Sequence, residues 1–412
     1  MTAIHDLASP HPWSMPDDAT LTRTARLAVW TAVLSIMFFS QIALNIGDFP
    51  FSTDFFFYAV VTAYLISSGY AALQLYPFAI LIVAAATAVF VVRFSPSSTS
   101  PTSMLLLFVV YAPFLFRLRR GYELSKVQDY IQATFVQVAC ALSIIAVVQL
   151  VAVNLLGLKA LINVNFVLPE QIRGAGTYAF FRETGGIVKA NGFFLRESST
   201  LSIVTALAAV IEFSGRARWL VLATLASGLL ASLSGSGILL ILAALILPTS
   251  ILRLPLVVLA VVALTGGLVL TYQLQVPGFE FWFGRLAEFQ TPGTSGYARF
   301  VAPFEMVERS FERGILQAIF GNGAGSYLRE VGALRLEYEI NDPTWAKLTF
   351  EYGLFGFMLI SALFAWRLYT SELRRPICNG ALFIWLSSGM VLKQDFAFIV
   401  WLLTLVPRSP HK

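Results

Sequence analysis

Apolar runs long enough to cross a bilayer recur along this 412-residue chain, joined by short polar connections, until a polar stretch of unusual length intervenes over 273–346. A helix needs roughly 17–25 mostly apolar residues to cross a hydrocarbon core of about 30 Å. Windows of that kind predict spans over 27–46, 55–74, 76–92, 104–116, 130–157, 199–213, 219–233, 235–249, 254–272, 347–369, 379–392 and 395–406. Several are short, and the last two read as a broken or re-entrant pair around Lys393-Gln394-Asp395. The pattern predicts an all-α polytopic membrane protein with about twelve transmembrane helices. It comprises a polar N-terminal tail over 1–26 and a single transmembrane domain over 27–412.

Composition agrees. The chain is 57% hydrophobic and 12% charged, with a mean hydropathy of +0.75, whereas soluble domains are nearer 45–50% apolar and about 25% charged. Residues 1–20 mix Asp, His and Pro without an apolar core segment, so they read as a cytosolic tail and not as a cleaved signal. Cys140 lies in an apolar run and Cys378 beside a basic turn, which implies no disulfide framework. The histidines are His5, His11 and His411, all at the extreme termini, so a histidine metal site or a histidine base is not expected in the membrane or its long loops.

Orientation follows from the cations of the short connections, because Lys and Arg accumulate on the cytoplasmic side. Arg117, Arg119, Arg120 and Lys126 lie between the fourth and fifth spans. Arg216 and Arg218 follow the sixth, Arg253 the eighth, and Arg374 and Arg375 the tenth, while Arg23, Arg26, Arg408 and Lys412 flank the ends. All share one side if both termini are cytoplasmic. The opposite connections carry Asp48, Asp54 and Ser95-Pro96-Ser97-Ser98, with Arg93 and Lys393 as their cations. This places two long loops, 158–198 and 273–346, outside the membrane.

Those loops hold the candidate chemistry. The first contains Lys159, Arg173, Arg182, Glu183, Lys189, Arg196 and Glu197 among glycines and aromatics, with Arg196-Glu197 at the membrane edge. There a charge faces the protein interior or a wet cavity and not lipid. In the second, 297–319 reads as one amphipathic helix whose stripe of Phe300, Phe304, Val307, Phe311 and Ile315 should face the packing partner. Gly321-Asn322-Gly323 closes it as a C-cap would. Arg299 borders that stripe. Arginine binds a diphosphate bidentately without losing its proton, and preplaced donors on a departing oxyanion are worth about 10²–10³ in rate. Neither loop has an Asp-x-Asp pair, and Glu337-Tyr338-Glu339 reads as a solvated face, so a metal-free site without a cofactor is expected.

Several motifs are similar to the Wzy-type O-antigen polymerase and ligase superfamily. Asn191-Gly192-Phe193-Phe194-Leu195-Arg196-Glu197-Ser198 resembles the entry to a span in exopolysaccharide polymerases, and Ala231-Ser232-Leu233-Ser234-Gly235-Ser236-Gly237 resembles the family's L-S-x-S-R-x-G element. Ser295-Gly296-Tyr297-Ala298-Arg299 resembles the lead into the loop helix, with Arg299 at its arginine position. Gly321-Asn322-Gly323-Ala324-Gly325-Ser326-Tyr327 resembles a G-x-G-x-G-S/T-aromatic turn. Two departures stand out. Family ligases carry a histidine where this chain has Asp342, and the arginine of the S-R-x-G element is Gly235 here, a vacancy for Arg196 or Arg182 to fill.

The resemblance implies a GT-C-like polymerase of the bacterial inner membrane. It would act on undecaprenyl-diphosphate-linked oligosaccharide, with a chain-length regulator as a further partner, no nucleic acid, and an exopolysaccharide or O-antigen product. Transfer would be inverting and metal-independent. Arg299, Asp342, Arg196 and Glu197 are then the catalytic candidates, with Arg173, Arg182, Lys189, Tyr297 and Lys347 as substrate-binding candidates. Asp342 leads as the general base, with Glu197 behind it. Structurally, Asp342-Pro343 also fits a helix N-cap with Pro at the first helical position. The competing classes are a transporter or flippase of lipid-linked sugars and an O-antigen ligase. Twelve spans suit a transporter, yet the cations lie in the outer loops and not inside the bundle.

Overall fold

The computed structural model describes residues 18–46, 49–94, 99–119, 124–173, 183–184, 187–248, 289–335, 337–338 and 340–408, with isolated positions between 255 and 273. Apart from those isolated positions, the expected span 254–272 lies outside the described residues, as does Arg182. The chain is mostly helical. Its elements run α1 (Asp18–Phe38), β1 (Ala43–Ile46), β2 (Phe49–Ser52), α2 (Thr53–Ser67), β3 (Ala71–Leu73), α3 (Leu75–Phe94), α4 (Pro101–Tyr111), β4 (Phe116–Leu118) and α5 (Leu124–Asn154). After the small hairpin β5 (Glu183–Thr184) and β6 (Ile187–Val188) come α6 (Ser198–Ser214), α7 (Trp219–Ala231) and α8 (Gly235–Ile246). The second loop holds α9 (Ser295–Phe300), α10 (Ala302–Glu312), α11 (Ile315–Phe320) and α12 (Ser326–Leu334); α13 (Thr344–Tyr369), α14 (Arg375–Ser387) and α15 (Gln394–Leu403) follow. The strands pair only as short antiparallel ribbons, β1 with β2, β3 with β4 and β5 with β6.

The expected spans among the described residues correspond to helices, although 27–46 runs into β1, 55–74 into β3 and 104–116 into β4. Three are long and apolar enough to cross a membrane: Leu75–Arg93, Leu124–Asn154 and Thr344–Tyr369, with mean hydropathies of 2.5, 2.4 and 1.6. The other apolar helices are shorter. At a rise of about 1.5 Å per residue, α14 and α15 reach only ~20 and ~15 Å; a break over 388–393 separates them, and α15 returns antiparallel to α14, so that Ser371 before α14 bridges Pro407 after α15.

Packing is tight where small residues meet. A Cβ on Gly228 would collide with Ser143 of α5, and one on Gly237 with Ser202 of α6. Aromatic side chains fill the space between α13 and α14, where Phe364 and Trp385 stack at 4.3 Å. Their polar atoms are satisfied: the Trp385 indole N–H donates to the Tyr111 hydroxyl at 2.8 Å, which donates to the Val391 carbonyl at 3.0 Å. Two buried arginines tie helix ends together. Arg367 donates to the carbonyls of Phe114 and Phe116, and Arg117 to those of Thr370 and Arg367.

The helix α13 is interrupted at Gly353, whose φ of 68° and ψ of 179° are not helical. The break frees the carbonyls of Phe350 and Glu351, which accept the backbone N–H groups of Asn322 and Gly323 at 2.9 Å each. A Cβ on Gly353 would strike the Ile319 carbonyl, and one on Gly321 the Glu351 carbonyl. The glycine turn therefore docks the second loop directly onto the break.

The expected loop helix differs in two ways. It is divided by Val301 and by Gly314 (φ 129°), and its stripe faces outward: Phe304 is 61% and Ile315 74% exposed, and Phe311 is exposed as well. The face of α10 that is buried is Ala302, Pro303, Met306 and Ser310. These compact side chains let α10 approach Tyr327, Ile340, Ala346 and Phe350, which bulky phenylalanines would prevent. Gly321, with φ 89°, ends α11 as expected.

Candidate functional site

A cavity of about 190 Å³ is lined by Glu197, Ser199, Ser236, Arg299, Asn341, Asp342, Pro343, Ser388, Gly389 and Lys393 among others. Four of these residues belong to the starts of helices. Glu197 is the N-cap of α6, Ser236 sits in the first turn of α8, Pro343 is the N-cap of α13, and Lys393 is the N-cap of α15. A helix start presents unpaired N–H groups and a partial positive charge, which suit an anion. Two cationic side chains add to that field.

Arg299 reaches the cavity from α9. That helix is capped by Thr294, whose hydroxyl accepts the Tyr297 N–H, and it is tied to the start of α13 by the Asn341 N–H donating to the Ala298 carbonyl at 2.9 Å. The Arg299 guanidinium contacts the Ser236 hydroxyl at 3.4 Å. An added Cβ at neighbouring Gly235 would meet nothing within 4 Å.

Lys393 enters from the break between α14 and α15, and sequence reasoning placed no chemistry on it. The break is held against α13 by Thr344, whose backbone N–H and hydroxyl both donate to the Ser388 carbonyl, at 3.1 and 3.0 Å. The Lys393 ammonium lies 3.9 Å from Glu197, and Glu197 also accepts from the Ser199 hydroxyl at 2.8 Å.

Asp342 lines the same cavity and pairs with Lys347 at 2.8 Å. Its side chain is 33% exposed, that of Lys347 only 5%. The expected cap is corrected here: Pro343 occupies the N-cap position with no side-chain bond, and α13 starts at Thr344, so Asp342 stands one residue outside and turns to Lys347 instead. Gly389 makes room for it, since a Cβ there would lie 2.7 Å from Asp342 Oδ1. Buried Glu351, one turn beyond Lys347, accepts the Tyr327 N–H at 3.3 Å.

The structure thus brings Arg299, Asp342 and Glu197 to one cavity, with Lys347 behind Asp342. Arg196 is exposed and is not part of the lining. Arg173 donates to the Leu168 carbonyl at 2.8 Å and pairs through its backbone with Ile42; neither it nor Lys189 lines the cavity. Tyr297 donates to Glu305 at 3.0 Å and meets Tyr338 edge-on. The bond to Glu305 pushes the Tyr297 phenol up, and partial burial with the same carboxylate pushes Tyr338 up to about 12. Among the described residues, no three His, Cys, Asp or Glu side chains converge as metal ligands would.

Comparison with known protein families finds no match for this chain, and comparison with curated proteins finds no relative. The likeness to O-antigen polymerases rests on the short motifs alone.

Proposed function

We propose that this chain is a membrane glycosyltransferase, a polymerase that moves a glycan from a polyprenyl diphosphate onto the terminal sugar hydroxyl of a second lipid-linked repeat. The observation that carries the reading is the meeting of Arg299, Lys393 and the starts of α6, α8, α13 and α15 around a single cavity. At about 190 Å³ it is smaller than the roughly 300–1,000 Å³ of a drug-sized pocket and suits a charged headgroup. About twelve spans, a GT-C-like arrangement, cytoplasmic termini and an inner-membrane location belong to the same proposal. Its support is the way these helix starts share one face with both long loops, as the charge pattern requires.

In the proposed reaction the acceptor oxygen forms a bond to the anomeric carbon while the bond from that carbon to the diphosphate oxygen breaks. The electron pair leaves with the diphosphate, where Arg299 and Lys393 meet the growing charge. The acceptor proton passes to a carboxylate. Asp342 is engaged by Lys347 at 2.8 Å, so its carboxylate is already held by a donor. Glu197 accepts from a hydroxyl and meets Lys393 only at 3.9 Å. We therefore assign the proton to Glu197 and the placement of Lys347 and the α13 start to Asp342. Lys393 fills the cationic vacancy left by Gly235.

Arg299→Lys tests the reading, because lysine keeps the charge and loses the two-pronged donor. Cells carrying it should retain the protein in the membrane yet accumulate single repeats in place of polymer. Polymer of normal length and amount from this variant would overturn the diphosphate role.

A further inference from the structure

The second loop carries an apolar face that the fold leaves uncovered. On α10 it consists of Phe304 and Phe311, with Glu308 and Glu312 along the neighbouring side, and on α11 of Ile315, Leu316 and Ile319. Ile315 is the most exposed of these. The face does not stand alone. Phe320, at the end of α11, meets Phe90 of α3 edge-on at 5.6 Å and Phe355 of α13 at 6.3 Å.

The helix α3 decides what covers it. It is one of the three helices among the described residues that are long and apolar enough to cross a membrane, and only 33% of its apolar stretch is buried within the protein. Its remaining surface, Ile82, Val83, Val89 and Phe90 included, therefore faces hydrocarbon. Phe90 lies near the C-terminal end of that crossing, where α11 packs, so the exposed side of α11 extends the lipid-facing surface of α3 beyond the end of the helix. Trp345 supports the same level. It lies 4.5 Å from Phe304 at the start of α13, and aromatic side chains of this kind collect at the membrane–water boundary.

We propose that α10 and α11 lie in the bilayer interface, with Phe304, Phe311, Ile315, Leu316 and Ile319 in the acyl boundary and Glu308 and Glu312 toward water, as interfacial amphipathic helices do. The surface is a lipid-binding one, independent of the reaction assigned to the cavity. It fixes the depth of the loop, and through Val301 the depth of α9 and its Arg299.

Single cysteines at Ile315, Leu316 and Glu312, in a background lacking Cys140 and Cys378, test this after spin labelling and reconstitution into phosphatidylglycerol–phosphatidylethanolamine vesicles. Labels at 315 and 316 should collide more with oxygen than with a water-soluble nickel chelate, and the label at 312 should show the reverse. A bimane at the same positions gives a second reading, with bromolipid quenching at 315 and 316 exceeding that at 312. Nickel-dominated collisions at all three positions would show a face in water and overturn the proposal. Protection of 315 and 316 from both reagents would show cover by protein, a second copy included, and would overturn it too.

Discussion

Replacing Asp342 by Asn removes the negative end of the ion pair at the start of α13. Lys347 is 5% exposed and loses a partner 2.8 Å away. Breaking a fully buried pair costs roughly 3–5 kcal/mol, whereas an exposed pair is worth about 0–1 kcal/mol. Asp342 is one-third exposed, so water can partly replace it. Glu351, one turn along at the i, i+4 spacing, leaves Lys347 a second coulombic partner. The cost should therefore fall near the middle, about 2 kcal/mol, a drop of a few degrees in the thermal midpoint measured by size-exclusion in mild detergent. Lys347→Met should cost a similar amount. The double variant should cost less than the sum by at least about 0.5 kcal/mol, since each single change already removes the pair. An unchanged midpoint for Asp342→Asn, or strictly additive costs, would refute the pairing argument. Asn is a good N-cap, so a capping role would have predicted no loss at all.

The remaining predictions separate chemistry from scaffold. Glu197→Gln should keep the wild-type thermal midpoint while polymer formation falls by at least ~10²-fold, the scale of a lost acid–base group; near-normal polymer would return the base to Asp342. Gly353→Ala places a Cβ against the Ile319 carbonyl at a φ of 68° and a ψ of 179°, a backbone region essentially confined to glycine, where another residue costs roughly 1–3 kcal/mol. Its membrane abundance should drop sharply, and normal abundance would show that the break in α13 does not need glycine.

Hydropathy found the helices because length and apolarity are local properties. Glu197 stood out at a membrane edge, and Arg299 and Asp342 through the loop-helix stripe and the motif resemblance; all three line one cavity. Lys393 escaped, although the break around it was legible, because nothing near it in sequence says that its helix start faces those of α6, α8 and α13. The outward turn of Phe304, Phe311 and Ile315 escaped for a different reason. Period 3.6 marks a face but not its partner, and a stripe that meets lipid reads the same as one that meets protein. Arg117 and Arg367 illustrate a third limit. Arg117 read as a loop charge and Arg367 drew no reading, yet both are buried donors to carbonyls some 250 residues away, a relation that no window of sequence contains. The glycine turn was visible as a cap, and its docking on the broken helix was not.

The most direct test is made with the purified protein alone, in vesicles supplied with a polyprenyl-diphosphate-linked repeat oligosaccharide. The proposal predicts a ladder of glycans rising by whole repeats on a gel, with free polyprenyl diphosphate released once per bond formed and no ladder from Arg299→Lys. Transfer of the repeat across the bilayer without any ladder, or wild-type protein that leaves the repeats single, would contradict it.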